Sequence, residues 1–207
     1  MGDMCDMQRR RWLVGLFPVA ALAFSRPVAA QPQGDAAERF AQRLRQGGVA
    51  VLLRHAITDP GIGDPPGFRP GDCRTQRNLS ADGRAQAQRI GAWFAARDLV
   101  PTAVRSSAWC RCIDTGRLAF GRATVWPALS SSFGERAALA PQHAPQLVDA
   151  LGRIGAGAFE VWVTHQSNII AWTGAGIGMG EGFVVTRPLP GGTAGALPIV
   201  ERLLLGA

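Results

Sequence analysis

Two stretches of the sequence are largely apolar and end in a histidine. The first spans 49–53 and is followed by Arg54 and His55, and the second spans 159–163 and leads to His165. Their length and their content of β-branched residues predict strands that are buried on both faces. Because ligands of open α/β sheets lie at the carboxyl ends of strands, we expect these polar side chains at a binding edge.

The rest of the pattern alternates helices with strands and predicts one domain. Apolar residues at helical spacing, with Ser80 as a capping residue, indicate helices over 35–46, 81–97, 109–120, 143–154 and 168–173. Shorter apolar runs add strands over 103–107, 124–128, 183–186 and 196–204. The alternation predicts an α/β fold, a three-layer α/β/α sandwich with a mostly parallel central sheet and an antiparallel edge.

A Pro- and Gly-rich stretch over 59–77 has no periodicity and is too long for a plain connection. Loops of this length inside compact domains are usually functional or mobile. Arg74 and Arg77 within it are candidates for substrate contact, and a solvated or salt-bridged role is the alternative for both.

Residues 1–30 have the pattern of an export signal. Arg9, Arg10 and Arg11 precede an apolar run over 12–24, and small residues over 27–30 offer a cleavage site. The run is short for a bilayer span, so a retained membrane anchor is the less favoured alternative. We expect Sec or twin-arginine export, a periplasmic or secreted location, no stable membrane anchor after cleavage, and a folded domain over 31–207.

Three cysteines fall in the predicted domain: Cys73, Cys110 and Cys112. In an oxidising compartment the simplest arrangement is one disulfide and one free thiol, and the sequence leaves the pairing open. The spacing of Cys110 and Cys112 is too tight for the usual zinc motif and has no second pair, so we expect no metal site.

The formal net charge is +7, and all 22 basic residues are arginines. The arginines are scattered and not interleaved with aromatic residues, which disfavours a nucleic-acid surface. The charge favours a small anionic substrate instead.

Three motifs follow predicted strands, and together they resemble those of a known family. They are Leu-Arg-His-Ala-Ile-Thr over 53–58, Ser-Ser-Ala-Trp-Cys-Arg-Cys-Ile-Asp-Thr over 106–115, and Val-Thr-His over 163–165. Their order over 48–186, with the helix start at 79–87, resembles the histidine phosphatase superfamily, which includes phosphoglycerate mutases and small phosphohistidine phosphatases. Ala56 stands where the first motif of that family has glycine.

The resemblance implies a role for each matching residue. His55 is the nucleophile, Arg54 and Arg111 bind the phosphoryl oxygens, His165 completes the pocket, and Thr58 donates a further hydrogen bond. The implied activity is that of a phosphomonoester hydrolase, which forms a phosphohistidine on His55 and needs neither a metal nor a cofactor.

The residue types suit this chemistry independently of the resemblance. Guanidinium groups present paired donors in a planar fork that matches two phosphate oxygens. A histidine is nucleophilic when neutral, and its ordinary pKa of about 6.5 leaves much of it neutral near pH 7. A covalent intermediate divides one difficult step into two easier ones.

The reaction also needs a carboxylic acid to protonate the leaving oxygen. Glu135 is the first candidate because it lies in an irregular segment, where the histidine phosphatase superfamily often places its acid. Glu181 is the second candidate, Asp59 and Asp72 on the long loop are weaker ones, and some small family members have no obvious acid.

The sequence is also consistent with two other functions. One is a non-catalytic periplasmic binder of phosphorylated ligands, and the other, favoured less, is a phosphomutase. Ile62 stands where mutases place an asparagine, which disfavours the mutase. The substrate is a small phosphorylated compound, for which the resemblance suggests a sugar phosphate of the cell envelope.

Overall fold

A six-stranded sheet forms the centre of the computed structural model, which describes residues 32–191 and 196–206. Its strands are β1 (Val49–Arg54), β2 (Ala103–Ser106), β3 (Thr124–Val125), β4 (Phe159–Thr164), β5 (Glu181–Val185) and β6 (Ile199–Leu204). The spatial order is β3-β2-β4-β1-β5-β6. The first four strands are parallel, β5 is antiparallel to β1, and β6 is antiparallel to β5, which confirms the predicted sheet with its antiparallel edge.

Helices cover both faces of this sheet. They are α1 (Pro32–Gln46), α2 (Ala81–Ala95), α3 (Cys110–Phe120), α4 (Leu139–Leu151) and α5 (Gln166–Thr173). Side chains alternate along β1, so that Val51 and Leu53 pack with α1, α2 and α3, whereas Ala50 and Leu52 pack with α4 and α5. The predicted three-layer sandwich is therefore confirmed.

The start of α2 fastens the segment that follows β1. Ser80 caps the helix by accepting a hydrogen bond from the backbone N–H of Gly83 at 3.1 Å. A Cβ at Gly83 would lie 1.7 Å from the carbonyl oxygen of Ile57, so no other residue permits this close approach. Gln86 holds the same segment by a hydrogen bond, since its Oε1 accepts from the backbone N–H of Ile57 at 3.0 Å.

Some boundaries differ from the predicted ones. β3 ends at Val125, well before residue 128, because a 3-10 turn begins at Pro127, whose ring removes the backbone donor that a longer strand needs. α4 begins at Leu139, four residues before the predicted start, and continues through Pro145. α5 begins at Gln166, directly after His165, which brings its first turn to the end of β4.

A disulfide joins the long loop to α3. It links Cys73 to Cys110, whose Cα atoms are 5.7 Å apart, and leaves Cys112 as a buried free thiol. The expected single bridge and single thiol are thus confirmed, and the pairing is now known.

The predicted export signal over 1–30 lies outside the described residues and stays a prediction. Over 32–191 and 196–206, no helix combines the length and the apolar character that crossing a membrane requires.

Candidate active site

The carboxyl ends of β1, β2 and β4 meet at one edge of the sheet. Since β4 lies between β1 and β2 and all three are parallel, His55, Ser107 and His165 follow neighbouring strand ends. A pocket of about 610 Å³ opens at this edge. Its arginine and histidine side chains are those of Arg54, His55, Arg77, Arg111, Arg136 and His165.

His55 lies buried in this pocket with one ring nitrogen already engaged. Its side chain is held by a hydrogen bond of 2.9 Å from Nδ1 to the carbonyl oxygen of Ala56, and only 3% of the residue is exposed. Because a carbonyl can only accept, Nδ1 carries the proton and Nε2 keeps its lone pair. Burial, with the charges of Arg111 and Arg54, lowers the pKa of His55 to about 3, so the ring is neutral at physiological pH.

Ala56 fits the position where the resembling family has glycine. In the described part of the chain Asp98 is the one non-glycine residue with a positive φ, so the backbone at Ala56 does not require glycine. Its backbone N–H donates to the hydroxyl of Thr115 at 3.0 Å, and that hydroxyl donates to the carbonyl of Arg111 at 2.7 Å. The first and second motifs are therefore joined directly.

Arg111 forms a buried ion pair with Asp64. Its Nη1 lies 2.6 Å from Oδ1 of Asp64, and the two side chains are 4% and 5% exposed. Trp109 donates to Oδ2 of Asp64 at 2.9 Å, and the backbone N–H of Arg77 donates to Oδ1 at 3.1 Å. Burial raises the pKa of the Asp64 carboxyl, but the hydrogen bond and charge of Arg111 outweigh it and leave that pKa below its ordinary value.

His165 is held from both sides of its ring. Nδ1 lies 3.4 Å from Nη2 of Arg111, which can only donate, and Nε2 lies 2.7 Å from the hydroxyl of Ser107. The ring therefore has its proton on Nε2. Burial, followed by the charge of Arg111, lowers the pKa of His165 well below the ordinary value. The rings of His165 and His55 pack edge to face, with their centroids 5.6 Å apart.

Three guanidinium groups crowd around the two histidines. Burial and the charges of Arg77 and Arg111 lower the pKa of Arg54, and burial and Arg111 lower that of Arg77. Nη1 of Arg54 donates to the carbonyl of Ile177 at 2.8 Å. The buried Nε atoms of Arg54, Arg77 and Arg111 have no hydrogen-bond partner within the described residues. Mutually repelling cations with unused donors are suited to a multiply charged anion.

Thr58 lies behind this cluster and does not line the pocket. Its hydroxyl accepts a hydrogen bond from Nη1 of Arg77 at 2.9 Å. The structure thus brings Arg54, His55, Arg111 and His165 together as predicted. Thr58 touches the pocket wall only indirectly, through hydrogen bonds with Arg77 and Met179.

The two arginines of the long loop have different surroundings. Arg77 lines the pocket, whereas Arg74 is 90% exposed and pairs with Asp72. The substrate-contact alternative therefore fits Arg77, and the solvated, salt-bridged alternative fits Arg74.

None of the acid candidates named from the sequence lines the pocket. Glu135 is exposed on a 3-10 turn over Gly134–Arg136, from which Arg136 reaches the pocket instead. Glu181 accepts from the backbone N–H of Gly178 at 2.7 Å and pairs with Arg202. The structure therefore gives the expected acid role of Glu135 no support.

Sequence reasoning missed Asp64, the carboxylate that does line the pocket. Its segment has no periodicity, so nothing in the local pattern distinguishes it from Asp59 and Asp72. The available signal was that a pocket containing several arginines calls for a counter-charge from the long loop beside them.

No family model matches the sequence, and no curated protein does. Solved structures share its fold at low sequence identity. The product of the open reading frame Rv3214 from Mycobacterium tuberculosis is 17% identical with a TM-score of 0.54, over 77% of this chain and 98% of that one. The protein histidine phosphatase SixA in complex with tungstate is 13% identical with a TM-score of 0.50, over 75% of this chain and 96% of that one.

A third structure is a mycobacterial glucosyl-3-phosphoglycerate phosphatase in complex with VO3. It is 16% identical with a TM-score of 0.50, over 74% of this chain and 97% of that one. At these identities the likeness is evidence about the fold alone. The chain has the histidine phosphatase fold that its motifs predict.

Proposed function

We propose that the protein is a phosphomonoester hydrolase that works through a phosphohistidine on His55. The observation behind this proposal is a buried His55 whose Nδ1 is hydrogen-bonded to the carbonyl of Ala56, so that Nε2 is left free among the guanidinium groups of Arg54, Arg77 and Arg111. A nucleophile with a free lone pair and donors for a dianion are the two requirements of phosphoryl transfer to nitrogen.

Binding of the substrate relieves the repulsion between the arginines. A phosphomonoester brings close to two negative charges near neutral pH, and each guanidinium can donate two parallel hydrogen bonds to it. Positive groups that are already in place also stabilise the charge that develops on the transferred oxygens. The first turn of α5, where Gln166 and Ser167 line the pocket, adds the positive end of a helix.

The reaction then proceeds in two displacements. Nε2 of His55 attacks phosphorus and the ester oxygen departs, and water afterwards attacks the phosphohistidine and releases phosphate. The hydrogen bond from Nδ1 to Ala56 stabilises the positive charge that the ring acquires as its Nε2 bonds to phosphorus. We propose that none of these steps requires a metal or a cofactor.

The activities of proteins with this fold support the proposal that this protein is a phosphomonoester hydrolase. One is a protein histidine phosphatase and another a glucosyl-3-phosphoglycerate phosphatase, and both were solved with phosphate-like oxyanions. The export predicted from residues 1–30 would make the enzyme periplasmic or secreted, so a phosphorylated sugar of the cell envelope is the first substrate to assay.

The test is hydrolysis of 4-nitrophenyl phosphate in the presence of a chelator. Wild-type protein should release phosphate, and His55→Ala should lose at least about 1,000-fold in rate, since the nucleophile is gone. His143→Ala is the matched control, because His143 lies on α4 and does not line the pocket.

Labelled substrate should also leave a phosphoryl group on His55 that is stable in alkali and lost in acid. Equal activity of wild type and His55→Ala would overturn the catalytic proposal. Tight phosphate binding without turnover would instead identify the non-catalytic binder.

A further inference from the structure

We propose that Asp64 is the acid-base catalyst of this reaction, protonating the leaving oxygen in the first step and taking a proton from water in the second. The inference rests on the proposed function of His55. It assigns the acid role to a residue of the long loop, outside the segment around Glu135.

The position of Asp64 is the first argument. In the described part of the chain it is the one carboxylate that lines the pocket, where the other charged side chains are arginines. Its side chain is 5% exposed, although its loop lies at the surface. A loop aspartate with a purely solvating role would not be withdrawn from water in this way.

The way in which Asp64 is held is the second argument. Trp109 donates to one carboxylate oxygen at 2.9 Å, and Arg77 donates through its backbone to the other at 3.1 Å. The disulfide between Cys73 and Cys110 joins the long loop to α3, one residue from Arg111. The carboxylate is therefore positioned against the phosphate-binding guanidinium before any substrate arrives, as an acid-base group must be.

Binding of the phosphate group changes the charges around Asp64 in a way that favours its protonated form. Without substrate, Arg111 keeps the carboxylate ionised, which the lowered pKa of Asp64 reflects. A bound phosphate competes for Arg111 and places its own negative charge beside Asp64, and both effects favour the protonated carboxyl. A monoester loses its second proton at about pH 6, so its monoanion can supply that proton on entering.

The atoms balance over the two steps. In the first, Nε2 of His55 bonds to phosphorus, the ester P–O bond breaks, and the departing oxygen takes its electron pair and the proton of Asp64. In the second, a water oxygen bonds to phosphorus, the Asp64 carboxylate takes the proton of that water, and the N–P bond breaks with its electron pair returning to the ring. One water is consumed, and both residues are regenerated.

Leaving-group dependence separates an acid from a residue that only orients Arg111. Asp64→Asn should slow an alkyl phosphate, whose alkoxide is a poor leaving group, by about 100-fold or more. The same variant should slow 4-nitrophenyl phosphate, which needs little protonation, less than about 10-fold. Asp59→Asn is the matched control, since Asp59 is exposed on the same loop and does not line the pocket.

The ratio of the two rates is the deciding measurement. A partly folded variant would lower both rates by the same factor, so the ratio is independent of the folded fraction. An equal loss on both substrates would show that Asp64 only positions Arg111, and no loss on either would remove it from the reaction altogether.

Failure of the proposed function has a different signature. If the wild type forms no phosphohistidine, the proposal for His55 is wrong. If the wild type forms it and Asp64→Asn leaves the rate ratio unchanged, only the proposal for Asp64 is wrong.

Discussion

The hydroxyl of Ser107 lies 2.7 Å from Nε2 of His165, and both residues are buried. This contact determines that Nδ1 is the nitrogen of the ring that faces Arg111. The second serine of the Ser-Ser motif therefore acts on the pocket by orienting a histidine.

Ser107→Ala should weaken both stability and substrate binding. The variant leaves the buried Nε2–H of His165 without its hydroxyl acceptor and with only the weakly accepting sulfur of Cys112 at 3.5 Å, which costs about 1–3 kcal/mol. We expect urea denaturation to show a loss of this size in the free energy of unfolding, together with a higher KM. Ser130→Ala, whose side chain does not line the pocket, is the control, and unchanged stability and KM in Ser107→Ala would contradict the assignment.

Arg111→Lys should reduce activity strongly even though the charge is kept. A lysine cannot span two phosphate oxygens and the Asp64 carboxylate with one planar group. We expect a loss of about 100-fold or more in kcat/KM on 4-nitrophenyl phosphate. Arg74→Lys should change it less than about twofold, because Arg74 is 90% exposed and makes a surface ion pair. A fully active Arg111→Lys would exclude a bidentate role.

Acid should destabilise the fold through His55. Burial lowers its pKa to about 3 in the folded protein, against about 6.5 in an unfolded chain. As the pH falls from 6.5 towards 3, the unfolded chain therefore takes up a proton that the folded protein does not. Each such histidine lowers the free energy of unfolding by up to about 1.4 kcal/mol per pH unit.

His55→Gln removes this contribution and provides the check. Between pH 7.5 and pH 4.5, urea denaturation should show a smaller loss of stability in the variant than in the wild type. Equal losses over that interval would mean that His55 titrates normally.

Reduction of the disulfide should loosen the pocket. The bridge joins two cysteines that are 37 positions apart, and by chain entropy its loss should lower the free energy of unfolding by about 2–4 kcal/mol. KM should rise as well. Asp64 and Arg77 line the pocket from the long loop over 59–77, and the bridge holds that loop against α3. Denaturation curves and kinetics with and without a phosphine reductant measure both effects.

A Cys73→Ala/Cys110→Ala double variant should be insensitive to the same reductant. Burial raises the pKa of the remaining thiol, that of Cys112, to about 12, so it should not react with thiol reagents in the folded protein. Unchanged stability and KM after reduction of the wild type would refute a structural role for the bridge.

Periodicity is sufficient to predict the strand ends and hence the edge of the sheet at which the pocket lies. Arg54, His55 and His165 follow apolar runs whose burial is visible in the sequence, and parallel strands end at one edge of the sheet. Their convergence follows from the fold class alone.

The loop residues could not be placed in the same way. Asp64 and Arg77 take their positions from the disulfide, from Trp109 and from Thr58, which are contacts over 19 to 45 residues of sequence. Glu135 shows the same limit, because a single 3-10 turn decides that Arg136 faces the pocket and Glu135 faces solvent. Such short irregular segments have no repeating pattern from which a direction could be predicted.

The crowding of Arg54, Arg77 and Arg111 has a consequence for the end of the reaction. Any dianion that enters the pocket relieves their repulsion. Inorganic phosphate is such a dianion, like the substrate. Under the proposed function, the product therefore competes for the pocket. Where phosphate is abundant, it occupies part of the enzyme, and the apparent KM for the ester rises.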